Sequence, residues 1–510
     1  MGLLSYKINN SSYAYFTSSV KGSETIEMTY SPDKKNKCMA NSYDEITDQG
    51  NINKPVLTDN MIPVYYDTCE EVWKKADSTN TKKKYRWYDY NNKIWANAVT
   101  VTSANRSKYL SASLGTTIPM NAINTMWVWI PRYTYTYLNT NTPQEIDITF
   151  EKGTSSSGTI SCSDTATGTS STSETCTDSA NGSLKAGIST YTHPAFWWDK
   201  NDNNTRESGE ELTGIWVGKF EVSSDTTCSA SGSVAVGSKC NLTRIRPKII
   251  PNATSWRGAM VGTFFNDIYN MRESGNQYGF KTTDETHMMK NMEWGAVVYL
   301  AHSKYGRCTD GTCEEVTINN CSKYITGIGA GTVSAGYSSA TCSTATNKYN
   351  GGKGVLASTT GNIYGIYDMS GGAYEYMMGD LISSTGVMMS GYQTSSNYHS
   401  GFTGYLYSGG DYTGTYDFPN KRYYDKYSYG ASYTEYTRGK LGDATKEMAP
   451  TGTSGNWYSD YAFFLGSSSS WFLRGGYYYD GSNAGLFNFN GSYGSAESNR
   501  SARAVISNLS

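Results

Sequence analysis

Ten cysteines carry the first chemistry this chain offers. Eight fall in close sequential pairs: Cys162 with Cys176, Cys228 with Cys240, Cys308 with Cys313, and Cys321 with Cys342. Each pair flanks a stretch rich in Ser, Thr, Gly and Asp. The simplest framework is therefore a set of local disulfide staples, with Cys38 and Cys69 left to bridge the N-terminal region. A staple of this kind stabilises by about 2 to 4 kcal/mol by restricting the unfolded chain. Zinc is the rival occupant, but it favours CxxC knuckles with four closely organised ligands, and the sequence contains no CxxC. Disulfides in an oxidising, extracellular setting are the expectation.

The histidines and carboxylates give less. Only His193, His287, His302 and His399 are present, with no HxxxH ligand pair. An expected helix from His287 to His302 would set those two rings about 23 Å apart along its axis, too far to share a metal. Asp199, Asn201, Asn203, Thr205 and Glu210 mimic the ligand positions of a calcium loop. Asn204 stands where such a loop needs Gly, and Arg206 adds a charge, so a solvated acidic loop is expected instead. No GxSxG, HExxH, GxxxxGK[ST] or GxGxxG motif occurs, which removes the nucleophile-elbow, zincin, P-loop and Rossmann readings. No catalytic residue, metal or cofactor is assigned.

The sharper signal is a segment near the C-terminus, 471–506, which packs Tyr, Asn, Ser and Gly between short apolar flanks. Tyr offers large contact area with few torsions to freeze, while Ser, Gly and Asn offer adaptable hydrogen bonding; antibody binding loops use the same alphabet. Recognition is expected here rather than catalysis.

Several elements must position these residues. Residues Met61 to Asp67 and Lys84 to Val101 alternate apolar with polar residues across an Asn91-Asn92 turn, which predicts a β-hairpin within a small β-rich N-terminal unit. Thr25 to Tyr30 has the alternation of a strand. Asn124 to Tyr133 and Ile215 to Val222 read as buried strands. Trp256, Met260, Phe264, Ile268 and Met271 fall three or four apart and predict a helix over 255–271, and a second helix is predicted over 287–302. Trp216, Trp256 and Trp294 belong to these apolar patterns and read as core. Polar excursions follow: a low-complexity stretch at 152–189, a Cys-rich one at 308–349, and a Tyr/Gly/Ser one near 390–456.

Composition sets the outer limits. Lys plus Arg number 43 against 45 acids, so no broad basic field is available to hold a nucleic-acid backbone. No window approaches the ~18 consecutive apolar residues of a membrane span. The opening MGLLSYKINNSSYAYF lacks the basic start and apolar stretch of a secretory signal. The expectation is that a signal has been removed or that the protein leaves the cell another way, for example within a virion.

Five motifs then recur in a recognisable order: Trp127 to Pro131, Gly214 to Ser223 (GIWVGKFEVS), Asn291 to Leu300 (NMEWGAVVYL), Gly361 to Gly379 (GNIYGIYDMSGGAYEYMMG) and Phe472 to Gly476 (FLRGG). In that order they resemble the formylglycine-generating-enzyme family, whose fold is a C-type-lectin-like variant. The implied fold class is α+β: a C-type-lectin-like domain over 119–510, with insertions near 135–190, 305–350 and 385–460, preceded by a β-rich region over 1–118. The oxygen-dependent enzymes of that family hold copper with a C-terminal cysteine pair, and this chain has no cysteine after Cys342. Its related iron enzymes need a three-histidine site, which the four histidines do not supply.

Within the family, the chain resembles the variable proteins of diversity-generating retroelements, in which a reverse transcriptase rewrites adenines in a C-terminal coding cassette. Arg474 to Gly476, Gly485 to Phe487 and Ser501 to Val505 match the fixed parts of that pattern. The resemblance implies a ligand-binding set of Tyr477, Tyr479, Asp480, Ser482, Asn483, Gly491, Ser492, Tyr493, Ser495, Glu497, Asn499 and Arg500 within a variable segment at 471–506. Most of these are residue types reached from asparagine codons by change at adenines; Glu497 departs from that rule. Asp368 and Glu375 read as structural support, and Arg474 and Arg503 as loop anchors. The implied function is non-catalytic display toward a macromolecular ligand, a protein or a surface glycan, at a bacterial cell surface or on a phage particle.

Overall fold

The computed structural model describes residues 7–8, 12–13, 49–136, 138, 140–160, 190–200, 207, 209–224, 245–320, 324–329, 347–382, 402, 406–408, 411–413, 419–428, 439–445, 447–448, 457–466 and 469–508. Among these, the chain is mixed α+β and mostly sheet. The strands that matter for the site are, in chain order, β1 (Ile62–Asp67), β2 (Val72–Lys75), β3 (Asn97–Val101), β4 (Ile123–Pro131), β5 (Tyr133–Thr136), β6 (Ile148–Phe150), β7 (Thr159–Ile160), β8 (Thr190–Thr192), β9 (Gly214–Gly218), β10 (Thr286–Met288), β11 (Tyr374–Ile382), β12 (Asp425–Ser428), β13 (Trp471–Arg474), β14 (Phe489–Ser492), β15 (Arg500–Ala502) and β16 (Ala504–Ile506). Among the described residues, three α-helices accompany them: α1 (Ser103–Leu110), α2 (Val261–Tyr269) and α3 (Asn291–Ala301).

The central sheet has seven strands in the order β10-β16-β9-β4-β3-β1-β2. Strands β4 and β9 are buried along their whole length, which is why they read as continuous apolar runs rather than alternating ones. A second sheet runs β12-β11-β13-β14, with β15 pairing the N-terminal half of β11. Helix α3 touches both β4 and β11 and so lies between the two sheets; all eleven of its residues are buried. A four-stranded sheet, β6-β5-β8-β7, covers the side reached through β5.

Several expectations shift on contact with this architecture. The proposed boundary at residue 118 falls inside one sheet: β3 pairs β4 from Asn97↔Val128 to Val101↔Ile123, so the described part of the N-terminal region shares the central sheet. The Asn91-Asn92 turn closes only a single bridge, Asp89↔Ile94. The hairpin there is instead β1–β2, turning through Glu71 at φ 55°. The helical stripe over 255–271 narrows to α2, because Trp256 lies before it, Met260 caps it in extended backbone and a 3-10 turn, Asn270–Arg272, follows. The helix expected from His287 begins only at Asn291, and His287 sits on β10 opposite Val505. Its spacing from His302 therefore follows from a strand and a helix together. The strand expected over Thr25 to Tyr30 lies outside the described residues.

Cys308 and Cys313 form a disulfide across a two-residue hairpin, and Cys69 is disulfide-bonded as well. The other proposed partners, Cys38, Cys162, Cys176, Cys228, Cys240, Cys321 and Cys342, lie outside the described residues. His302 Nδ1 is 3.9 Å from Cys308 Sγ, but both sulfurs of that pair are engaged with each other.

The buried histidines tie loops to the core. His193 Nδ1 accepts from Ala195 N–H at 3.2 Å, which places its proton on Nε2, 3.0 Å from the Gly442 carbonyl. Burial holds its pKa down at about 3 from an ordinary 6.5. The unfolded chain therefore binds a proton that the folded state refuses, so this residue's contribution is present above pH 6.5 and is lost as pH falls toward about 3. In urea titrations at several pH values, His193→Gln is expected to narrow the loss of stability between pH 6.5 and pH 4 relative to the parent chain.

Candidate ligand-binding face

The segment that carries the binding alphabet begins and ends on buried arginines. Arg474, at the end of β13, is fully buried: its Nε donates to Asn291 Oδ1 at 2.7 Å, and its two Nη groups donate to the carbonyls of Ala444 and Asp443. Burial lowers its pKa to about 10, still well above neutrality. Arg503 is also fully buried; its Nε donates to Glu375 Oε2 at 2.9 Å, Nη1 to the Gly218 carbonyl at 2.7 Å, and Nη2 to the Tyr367 carbonyl at 2.8 Å and to Glu375 Oε1. Both arginines are anchors that no ligand reaches.

Three buried carboxyls surround this second guanidinium. Glu221 accepts from Ala373 N–H at 2.9 Å. Asp368 accepts from Gly327 N–H at 2.8 Å and from Asn319 Nδ2 at 3.1 Å. Burial pushes Glu221, Asp368 and Glu375 all upward, with the charge of Arg503 opposing the rise in each. One cation for three carboxyls favours keeping protons in the cluster. Every one of these carboxyls is at most 2% exposed.

Between the anchors, main-chain bonds set the path. Gly475 and Gly476 have φ of +82° and +70°, and a Cβ on Gly476 would sit 2.6 Å from Ala484 Cα, so the sharp turn after β13 requires Gly at 476. The Gly475 carbonyl accepts from both Gly371 and Gly485, Tyr478 N–H donates to the Gly372 carbonyl at 2.9 Å, and Tyr374 N–H donates to that of Asn499 at 2.9 Å. Further along, Val261 N–H donates to the Gly494 carbonyl and Gly258 N–H to that of Glu497.

What this path presents is a chain of tyrosine rings. Tyr477 stacks on Tyr374 at 5.2 Å between centroids, and Tyr478 meets Tyr324 edge-on at 4.7 Å. Tyr477, Tyr478 and Tyr479 touch one another at 5.6 to 6.2 Å. Arg257 lies 4.1 Å over the ring of Tyr324. Tyr479 is among the few exposed large hydrophobic side chains described, at 38%. The patch thus joins the expected Tyr477 and Tyr479 to Tyr478, Tyr324, Tyr374 and Arg257, which the sequence reading omitted. Tyr374 lies inside one of the five ordered motifs, and Tyr478 sits between two residues already selected. Tyr324 and Arg257 come from distant segments and had no sequence signal.

The remaining expected residues divide in two. Ser482, Asn483, Gly491, Tyr493, Glu497 and Asn499 are half-buried. Asp480, Ser492 and Ser495 are buried and work inward, which corrects their assignment to the ligand set. Asp480 Oδ2 accepts from Tyr477 N–H at 3.0 Å. Ser492 Oγ accepts from Arg500 Nη1 at 2.7 Å, while the Tyr376 hydroxyl donates to the Ser495 carbonyl at 2.7 Å. Arg500 Nη1 also donates to the Tyr376 hydroxyl at 2.9 Å, so its guanidinium is turned into this turn rather than outward.

Of the calcium-like loop, Asp199 and Glu210 are described. The Glu210 carboxylate is buried and accepts from Lys200 N–H at 3.0 Å, Glu207 N–H at 3.2 Å and Trp197 Nε1 at 3.3 Å, closing its own loop. Asn201, Asn203 and Thr205 lie outside the described residues, as do His399 and most of the Tyr/Gly/Ser excursion.

The chain matches no family model and no curated protein.

Two single substitutions separate the displayed residues from the supporting ones. Ser492→Ala strips partners from a half-buried guanidinium and a buried phenol, and is expected to cost about 1 to 3 kcal/mol in urea denaturation. Tyr479→Ala, at an exposed ring, is expected to stay within about 0.5 kcal/mol.

Proposed function

We propose that this protein is a non-catalytic display protein whose tyrosine face at 477–479, with Tyr324 and Tyr374 behind it, binds a macromolecular partner. We propose further that the fold is of the C-type-lectin-like, formylglycine-generating-enzyme type and that the segment 471–506 is the variable region of a diversity-generating retroelement. The observation that carries the reading is the separation of backbone from side chain. The loop's path is set by main-chain bonds to Gly371, Gly372 and Tyr374, so changing the side chains at 477, 478, 479 and 482 leaves the supports in place. Rigid aromatic anchors of this kind supply most of the binding free energy at protein interfaces.

The proposed variable set is correspondingly narrower than the resemblance alone implies: Tyr477, Tyr479, Ser482, Asn483, Tyr493, Glu497 and Asn499, with Tyr478 added by position; Gly491 drops out because a Cβ there would lie 2.7 Å from the Ser469 carbonyl oxygen. An enzyme reading has less to stand on, because the densest group of perturbed acids, around Arg503, is sealed in the core. The disulfide at Cys308–Cys313 supports a workplace outside the cell, at a bacterial surface or on a virion.

Sequencing the flanking DNA tests the retroelement reading. A near-identical template repeat, differing at adenines and lying beside a reverse transcriptase gene, is expected; a complete locus without one refutes it. The binding face is tested separately by replacing Tyr477, Tyr479 and Tyr493 together with Ala. Capture of a partner from cell-surface extracts is expected to fall by at least about tenfold, equivalent to ~1.4 kcal/mol, with the thermal midpoint little changed. Unchanged capture places the binding surface elsewhere.

A further inference from the structure

A cavity of about 240 Å³ lies where three segments meet: Lys93 at the end of the Tyr90–Asn92 turn, the disulfide-closed hairpin 308–313 with its flanks, and the segment 356–361. None of its lining residues belongs to the tyrosine face. The volume is below the ~300 to 1,000 Å³ of sites that take drug-sized molecules, and no aromatic ring is among the described residues that line it. A small polar ligand fits such a space better than a sugar or a nucleobase.

Two cations line the cavity, and neither has all its donors engaged. Arg307 is only 7% exposed. Its Nη2 donates to Glu314 Oε2 and to the Glu315 carbonyl, both at 3.1 Å, and its Nε points at the Glu314 carbonyl at 3.4 Å. Nη1 has no partner among the described residues, although polar groups this deeply buried are ordinarily hydrogen-bonded. Gly361, at φ +70°, makes room for that nitrogen, since a Cβ there would collide with it. Lys93 is half-buried; its Nζ donates to the Cys308 carbonyl and to Thr309 Oγ1, both at 2.9 Å. That leaves the lysine one N–H, and leaves the Thr309 hydroxyl its own hydrogen to donate. Burial and then the like charge of Arg307 lower the Lys93 pKa, against the pull of Glu314 and Glu145. An anion lodged between the two cations would relieve their repulsion.

The surroundings hold these groups in place. Asn362 Nδ2 donates to the Lys93 carbonyl at 2.9 Å, and Thr360 Oγ1 donates to Asn362 Oδ1 at 2.8 Å. Lys93 N–H returns to the Tyr90 carbonyl at 2.9 Å, and Glu314 N–H donates to the Arg307 carbonyl at 3.1 Å. Glu314 is the one carboxylate in the described lining, with its side chain 73% exposed. Glu145, outside the lining, accepts from Gly311 N–H at the hairpin tip at 3.1 Å.

The donors left over are Arg307 Nη1, one N–H of Lys93 and the hydroxyls of Thr309 and Thr312. They outnumber what the two oxygens of a carboxylate use well. A phosphate offers three or more strongly accepting oxygens and close to two negative charges at neutral pH. We infer that this cavity binds a phosphate group, as the free ion or as a monoester, between Arg307 and Lys93, with Thr309 and Thr312 completing its shell. The inference is independent of the tyrosine face and of the retroelement reading.

Isothermal titration of the full chain with inorganic phosphate, methyl phosphate and acetate, at constant ionic strength, tests it. Phosphate is expected to bind saturably and about tenfold tighter than acetate. Methyl phosphate that matches or exceeds inorganic phosphate marks a monoester as the ligand, and weaker methyl phosphate marks the free ion. Glu314→Gln, at an exposed side chain, is expected to tighten phosphate by about threefold through loss of a competing carboxylate, with the thermal midpoint unchanged. Lys93→Gln is expected to weaken phosphate by about tenfold. No saturable phosphate binding, acetate bound as tightly as phosphate, or an affinity that neither substitution moves each overturns the proposal.

Discussion

The chain crosses from one sheet to the other at a single residue, and that residue is Arg503. Strand β15, just before it, pairs with β11 in the second sheet, while β16, just after it, pairs with β9 and β10 in the central one. The guanidinium at the crossing reaches into both: to Glu375 on β11, to the Gly218 carbonyl at the end of β9, and to the Tyr367 carbonyl in the loop leading to β11. A buried cation with a matched partner is neutral to modest in net stability, but removing one member leaves the other stranded at a cost of about 3 to 5 kcal/mol. The arrangement therefore acts more as a specification of how the sheets meet than as a source of stability. The tyrosine face inherits that geometry, because Tyr374 precedes Glu375 on the same strand and its N–H donates to the Asn499 carbonyl near the far end of the segment 471–506.

Helix α3 plays the complementary part from the other side. Its interior Gly295 has no room for a Cβ, since the Gly442 carbonyl would lie 1.7 Å away, and this close approach brings the loop at 442–444 under Arg474. Trp294 donates to the Leu486 carbonyl at 2.9 Å, so the same helix supports the middle of the segment 471–506. Glu293, at the helix start, accepts from Lys290 N–H and pairs with His287 on β10 at 2.9 Å. One buried helix thus registers the central sheet, the anchor of β13 and the loop beyond it.

Much of this was legible in the residues, and the reasons for the misses are physical. Strands β4 and β9 were visible because a strand buried on both faces must be apolar throughout. Arg474 and Arg503 were legible as anchors because arginine within apolar strands has to find acceptors. The helix expected from His287 failed at its start because Thr286, His287 and Met288 fit a buried strand as well as a helical turn, and pairing with β16 decides between them. The hairpin assigned to Asn91-Asn92 failed because β3 found longer partners in β1 and β4. Tyr324 and Arg257 reach the face only through tertiary packing, and no local pattern marks them.

The same contrast explains why the ligand set that the resemblance implies includes residues that work inward. Ser, Asp and Arg in a Tyr-rich loop look alike in sequence whether they face a partner or the loop's own backbone, but a turn that leaves regular structure must still satisfy its polar groups. Here Asp480 satisfies Tyr477 N–H, while Ser492 and Arg500 hold the turn that returns the chain to β15. A loop with such internal supports tolerates change only where side chains point away from them. Under the proposed display role, exchange is therefore bounded by the loop's own folding: Asp480, Ser492 and Arg500 must persist for any residues at 477–479 to be presented in the same way.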